Sequence, residues 1–228
     1  MSGAYIIGDE VGGKTPSDKV WSDISDIQTI TNMPSNRYHY ATDHVVRQAS
    51  DGVNVAIVSP TVVYGLSTSI ERRIPITIRD IIHTAKELSM GFTMSQGRNI
   101  IGYVHVADLA EIFVRLLADA INETTSNPQL WGPQAYYFAN SEEHTFSAYM
   151  EAFVKILKDK EIIDTEVVKE VDPDDIVPEL EIVKRISAIH AFGANVRCRS
   201  DRAASLLTWT PVRPALIDTL PEIINLSL

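Results

Sequence analysis

Cysteine is nearly missing from this chain. Cys198 is the single one among 228 residues, so no internal disulfide can form and a reducing compartment is the simpler expectation. A long apolar run is missing too: the most hydrophobic stretch, Val53 to Gly65, is interrupted by Ser59 and Pro60 and is too short to span a bilayer. The N-terminus lacks a basic patch followed by an apolar segment; no secretory leader is expected, and the cytoplasm is the default location. Basic residues are outnumbered, with 20 Lys and Arg against 30 Asp and Glu and a formal charge of −10. They do not cluster, which argues against nucleic acid as a partner. Repeats and low-complexity tracts are absent. What remains is the composition of an ordinary globular protein, 45% hydrophobic and 22% charged, long enough to bury a substantial core, which excludes disorder and a small stapled scaffold. One domain over residues 1–228 is expected.

The patterning points to the α/β class. Val53 to Val58 is nearly continuous and β-branched, as in a strand buried on both faces of a parallel sheet. Ala107 to Ile121 carries polar residues at Asp108, Glu111, Arg115 and Asp119, a spacing that predicts a helix with one narrow wet stripe and a Glu111–Arg115 pair. Phe146 to Lys158 repeats the pattern. Between these helices, Asn127-Pro128 and Trp131-Gly132-Pro133 mark a loop, and Ala135 to Phe138 reads as a short aromatic strand. Asp172 onward predicts a helix toward Ile189. Ser200 is placed to cap a helix over Asp201 to Leu207, and Arg213-Pro214 to start a last one.

Gly8 to Thr15 matches G-x-x-x-x-G-K-S/T letter for letter and follows the apolar run Ala4 to Ile7, so a phosphate loop has to be weighed. Its context opposes it. Asp9 and Glu10 set carboxylates where amides should meet phosphate, Pro16 to Lys19 is a poor helix start, and no later strand ends in a magnesium-organising Asp. A solvated glycine-rich turn is the competing reading. His83, His144 and His190 stand apart from one another, so no metal site is expected.

Two further motifs carry more weight. Val53 to Ser59 followed by Pro60-Thr61-Val62-Val63-Tyr64-Gly65, and then Tyr103-Val104-His105-Val106-Ala107-Asp108-Leu109-Ala110, resemble the extended short-chain dehydrogenases, the NAD(P)-dependent epimerase/dehydratases. The likeness continues through Trp131-Gly132, Tyr136 to Ala139, Arg197-Cys198-Arg199 and Leu206 to Pro211. It is closest to a fungal-like, atypical branch and covers nearly the whole chain. The resemblance implies a Rossmann-like parallel sheet with helices on both faces, truncated, plus a C-terminal substrate-binding subdomain. It implies NAD or NADP as cofactor and a small-molecule substrate.

The departures from that family are as informative as the likeness. Its members open with a strand, a G-x-x-G-x-x-G turn and a helix that together hold the dinucleotide diphosphate; no such turn is present, and the spacing of Gly8, Gly12 and Gly13 is wrong for one. Ser2-Gly3-Ala4 resembles the family's mid-chain serine strand, so the chain is expected to enter the fold after the strands that carry the adenosine half. Binding of either nucleotide is thereby left open, as is a sheet edge that a second copy or a partner would cover. The family's Tyr-x-x-x-Lys signature is also changed: the best register sets His39 at the tyrosine position and Asp43 at the lysine position. A carboxylate raises the pKa of a neighbouring acid where the lysine lowers it, which disfavours the standard proton relay.

By this resemblance the catalytic candidates are Ser2, His39, Tyr40 and Asp43, with His39 and Asp43 as an acid/base pair on one helical face. Pro60, Thr61 and Val62 would lie against the nicotinamide. Tyr64, Arg98, Asn99, Arg197 and Arg199 would line the substrate pocket, the arginines suiting an anionic or polar substrate. His105 and Asp108 are expected to be a strand end and a helix cap. Three functions stay open: an NAD(P)-linked oxidoreductase or epimerase with altered chemistry, a cofactor-free isomerase, cyclase or binding protein on the same fold, and a phosphate-loop nucleotide binder.

Overall fold

The computed structural model describes residues 1–9, 11–49, 52–122, 127–171 and 192–227. The helix expected from Asp172, together with Glu10 and His190, lies outside them. In chain order the described elements begin with a 3₁₀ turn at Ala4–Ile7, then β1 (Trp21–Ser22), α1 (Ile27–Thr31), α2 (Tyr40–Gln48), β2 (Ile57–Pro60), β3 (Val62–Tyr64), α3 (Ile76–Leu88) and β4 (Gly91–Met94). They continue with β5 (Ile100–His105), α4 (Val106–Ile121), β6 (Tyr136–Ala139), β7 (Glu142–Thr145), α5 (Phe146–Asp159), β8 (Val168–Val171), β9 (Cys198–Arg199), α6 (Asp201–Leu207) and α7 (Leu216–Leu226).

Four of the five strand pairings are parallel: β2 with β6, β3 with β5, β4 with β8 and β1 with β9. Only β7 runs antiparallel, against β5. This is the α/β arrangement that the patterning predicts. β2 starts later than expected, because Val53 is exposed and its amide closes the turn after α2 on Ala49. It also runs on through Pro60. Ile57 and Thr61 both donate their amides toward β6, to Ala135 and Ala139, so by the alternation of a strand the nitrogen of Pro60 faces away and its missing N–H costs no ladder bond. On that far side the Val58 carbonyl accepts the Ser2 amide at 2.8 Å.

α4 follows β5 without a loop. His105 Nδ1 accepts the Ala107 amide at 3.1 Å, satisfying one free donor of the first turn. His105 is thus the strand end and helix cap, whereas Asp108 is buried and caps no helix, accepting instead the amides of Val212 and Arg213. Glu111 and Arg115 pair at 3.0 Å. The narrow wet stripe is not found: Val114, Leu117 and Ile121 are 58%, 60% and 72% exposed. α4 buries only the face that carries Leu109, Ile112 and Leu116.

α7 begins at Leu216, two residues after Pro214. The Leu216 amide donates to Glu142 at 2.7 Å, and Pro214 offers its carbonyl to the Tyr64 hydroxyl. Burial pushes the Glu142 pKa up, but the hydrogen bonds of His144 and of that amide, with the Tyr64 hydroxyl close by, outweigh it and hold the carboxyl below its usual range. Among the described residues no helix is long and apolar enough to cross a membrane.

Three apolar clusters form the core. One lies among α3, β4, α5 and α7, where Phe146 and Phe192 stack at 5.3 Å. A second joins the Ala4–Ile7 turn and α1 to β2, β6 and Cys198. The third sits under α4 and includes Tyr137, Leu207 and Trp209.

Candidate functional site

A cavity of about 800 Å³ opens beside the N-terminal residues, within the usual size of a small-molecule site. Ser2 and Gly3 form one part of its wall, His39 another, and Pro60, Thr61, Val62 and Val63 a third. Val106, Leu109, Ala110 and Phe113 of α4 face it from one side, and the segment Arg72 to Thr77 from another. The structure therefore brings together Ser2, His39, Pro60, Thr61 and Val62, which are separate in sequence.

His39 is held there by its backbone. It precedes α2 with φ of 67°, a left-handed conformation that costs a residue with a side chain about 1 kcal/mol or more. Its ring lies against Gly3: a Cβ at Gly3 would come within 2.6 Å of Nε2, so any side chain there would have to push the imidazole aside.

Asp43 does not join His39. Its carboxylate is buried and accepts the Tyr136 hydroxyl at 2.7 Å. Burial, and then the negative charge of Asp43, push the Tyr136 pKa far up. Ser2 Oγ and Ser59 Oγ flank that hydroxyl, both buried and neither completing a hydrogen bond. The left-handed turn at His39 is the physical reason for the separation, because it takes the histidine out of the helical register in which i and i+4 would share a face. Tyr40 opens α2, packs on the second core cluster and stacks on His44 at 5.6 Å, away from the cavity wall.

The residues expected at a substrate pocket stand elsewhere. Tyr64 is buried and donates to Pro214; its neighbours Val63 and Gly65 reach the cavity. Asn99 is fully buried and its amide donates to the carbonyls of Phe192 and Ala194. Arg197 pairs with Glu143 at 2.8 Å and donates to Ser17. Arg199 pairs with Asp201 on the surface. Arg98 is exposed, and its amide donates to Gly13. The arginines on the cavity wall are Arg72 and Arg73, which the sequence reading passed over. Their signal was present: a basic pair a few residues beyond the Tyr64-Gly65 loop, directly before Ile74-Pro75-Ile76.

The phosphate-loop reading fails on geometry. Ala4–Ile7 is a 3₁₀ turn instead of a strand, and no helix follows Lys14. Gly13 donates its amide to Gly193 at 2.7 Å, and a Cβ there would meet the Met94 carbonyl at 1.8 Å. Asp9 accepts the backbone and side-chain amides of Asn195. The glycine turn is thus packed against protein, and its donor is spent. Among the described residues no group of three metal-ligating side chains meets.

Residues 11–127 match the NAD dependent epimerase/dehydratase family. The chain belongs to that family. A curated relative, the oxidase ucsJ of an Acremonium species, is 23% identical over 221 residues, which is 92% of this chain and 61% of the relative. Solved structures share the fold. MoeE5 in complex with UDP-glucuronic acid and NAD superposes with a TM-score of 0.57 at 13% identity, covering 100% of this chain and 64% of its own. The dTDP-glucose 4,6-dehydratase DesIV of Streptomyces venezuelae, a double mutant with NAD and DAU bound, gives 0.55 at 17%, covering 98% and 57%. The chain spans less than two thirds of each. The Rossmann-like α/β class and the atypical epimerase/dehydratase assignment of the sequence reading are both supported.

Proposed function

We propose that the cavity is the reaction site of an NAD(P)-linked oxidoreductase of the epimerase/dehydratase type acting on a small molecule, with chemistry altered at the proton-transfer step. The observation that carries this reading is the convergence of Ser2, His39 and Pro60-Thr61-Val62 on one cavity, in a chain of this family. The fit to a dinucleotide is divided. Pro60, Thr61 and Val62 offer a wall for a nicotinamide, and Gly3 lets His39 come close to it. The glycine turn at Gly12-Gly13 does not offer the Gly13 amide to a diphosphate, since it is spent on Gly193. When bound, the nicotinamide would supply hydride exchange. The chain's own part is proton handling at the His39 imidazole, the only imidazole on the cavity wall among the described residues. Asp43 cannot serve in the lysine's place, because it is closed off on Tyr136.

The packed glycine turn favours a second reading, a cofactor-free isomerase, cyclase or binding protein on the same fold. Thermal unfolding in the presence of NAD, NADP and their reduced forms separates the two. A saturable rise in midpoint at micromolar nucleotide, about 2.7 kcal/mol at one hundred times the dissociation constant, is the expected outcome for the first. No response at millimolar nucleotide would remove it and leave the second. A second copy or a partner chain along the far side of β2, where only the Ser2 amide is bound to it in the described residues, is part of either reading; sedimentation measures it.

A further inference from the structure

The cavity wall is dominated by hydrocarbon. Val62, Val63 and Ile74 face it from the loop side, and Leu109 and Phe113 from α4. Polar side chains also reach it, Ser2 and His39 on one part of the wall and Thr61 and Thr77 on others, but the hydroxyl of Thr61 is already used, donating to the Ala139 carbonyl and to Asn140. A sugar seated against the stretch made by Val62, Val63, Ile74, Leu109 and Phe113 would bury hydroxyls against hydrocarbon, a costly way to desolvate a polar group. At the cavity's edge stand Arg72 and Arg73, both exposed. Neither guanidinium has an ion pair or hydrogen bond with a described residue, although Glu71 precedes them in the chain. Two guanidinium groups without a partner among the described residues, beside an apolar chamber in a chain of net charge −10, form a local anion-attracting spot where the molecule as a whole repels anions.

We infer that the ligand of this cavity is an amphipathic organic acid: a hydrocarbon or aromatic body against the α4 and Val62–Val63 walls, with a carboxylate at Arg72 and Arg73. This rests on the reading of the cavity as the substrate site and narrows its substrate class away from nucleotide sugars. Each guanidinium can donate two parallel N–H bonds to one carboxylate, and the aliphatic wall selects for the body by excluding water.

The test uses a dansyl-labelled undecanoic acid as probe, its methyl ester as the uncharged control and UDP-glucose as competitor, with the whole chain and no dinucleotide present. The acid should bind saturably with enhanced dansyl emission, weaken as salt is raised, and resist displacement by UDP-glucose. Arg72→Ala with Arg73→Ala should weaken the acid by about tenfold or more and leave the ester unchanged. Ala110→Trp, on the exposed face of α4 that closes the cavity, should weaken acid and ester together. The proposal is overturned if acid and ester bind alike, if neither variant weakens the acid, if UDP-glucose displaces it, or if the probe does not bind. Because dinucleotide is left out, a chain that binds the acid and ignores NAD(P) loses the redox reading and keeps this one; a chain that binds NAD(P) but fails these criteria does the reverse.

Discussion

The interior polar groups are where single substitutions separate packing from chemistry. Asp43, by accepting the Tyr136 hydroxyl, ties α2 to β6. Tyr136→Phe leaves a buried carboxylate short of its donor and is expected to cost about 3 kcal/mol. Asp43→Asn keeps an acceptor for the phenol and should cost less. A double-mutant cycle of Tyr136→Phe with Asp43→Ala, which removes the acceptor, should show by urea denaturation a coupling of about 2 kcal/mol; additive losses would mean that the hydroxyl finds another acceptor, for which Ser2 and Ser59 are at hand. Asp23 offers a pH signature. It is fully buried, accepts the amides of Phe138 and Arg202, and burial pushes its pKa from 3.8 up to about 7. The native chain therefore binds this proton more tightly than the unfolded chain, so the contribution is present below 3.8 and is lost as pH rises through about 7. Asp23→Asn sets an NH₂ against one of those amides and should be less stable throughout by about 1–3 kcal/mol. Its denaturation midpoint should nonetheless fall less than the native chain's between those pH values; equal slopes would show that Asp23 is ionised across the whole window.

Among the elements, those whose order is decided locally were legible in advance. α4 and α5 announce themselves by 3.6-residue periodicity, and α6 starts after Ser200 as expected, although the Ser200 hydroxyl accepts the Asn140 amide instead of capping the helix. β1 was not legible, because two residues, Trp21 and Ser22, become a strand only by pairing with Cys198 and Arg199 far along the chain. The site divides in the same way. The cavity positions of Pro60, Thr61 and Val62 follow from a local motif, whereas Arg197 and Asn99 are settled by Glu143 and by the carbonyls of Phe192 and Ala194, contacts that no spacing reveals. α4 shows what periodicity leaves out. Its apolar residues are too many for one buried face, and pattern alone does not say which of them stay exposed. Leu117→Lys, at a position 60% exposed, should change stability by no more than about 0.5 kcal/mol. Ile112→Ala, at a fully buried one, should cost about 2–5 kcal/mol. Chemical denaturation of the two variants checks this, and a large loss at Leu117 would mean that its side chain is covered in solution by something beyond the described fold.

Across the whole molecule, the three core clusters are joined by one stretch of chain. Phe192 enters the cluster of α3, β4 and α5; Val196 and Cys198 enter the second; Ala203, Leu207 and Trp209 enter the third. Residues 192–209 therefore cannot leave without opening all three, which predicts a single cooperative transition in place of separate unfolding of the clusters. Cys198 reports on this directly. It is the one thiol in the chain, buried, and burial pushes its pKa well up, so in the native state it is both inaccessible and poor in thiolate. Labelling by a disulfide reagent should be negligible in buffer and should rise with urea along the same curve as the fluorescence of Trp21, Trp131 and Trp209, which sit at scattered places in the fold. Labelling that proceeds at low urea, while the tryptophan signal is still native, would mean that the β1–β9 pair peels away by itself and that the three clusters are not held together by this segment.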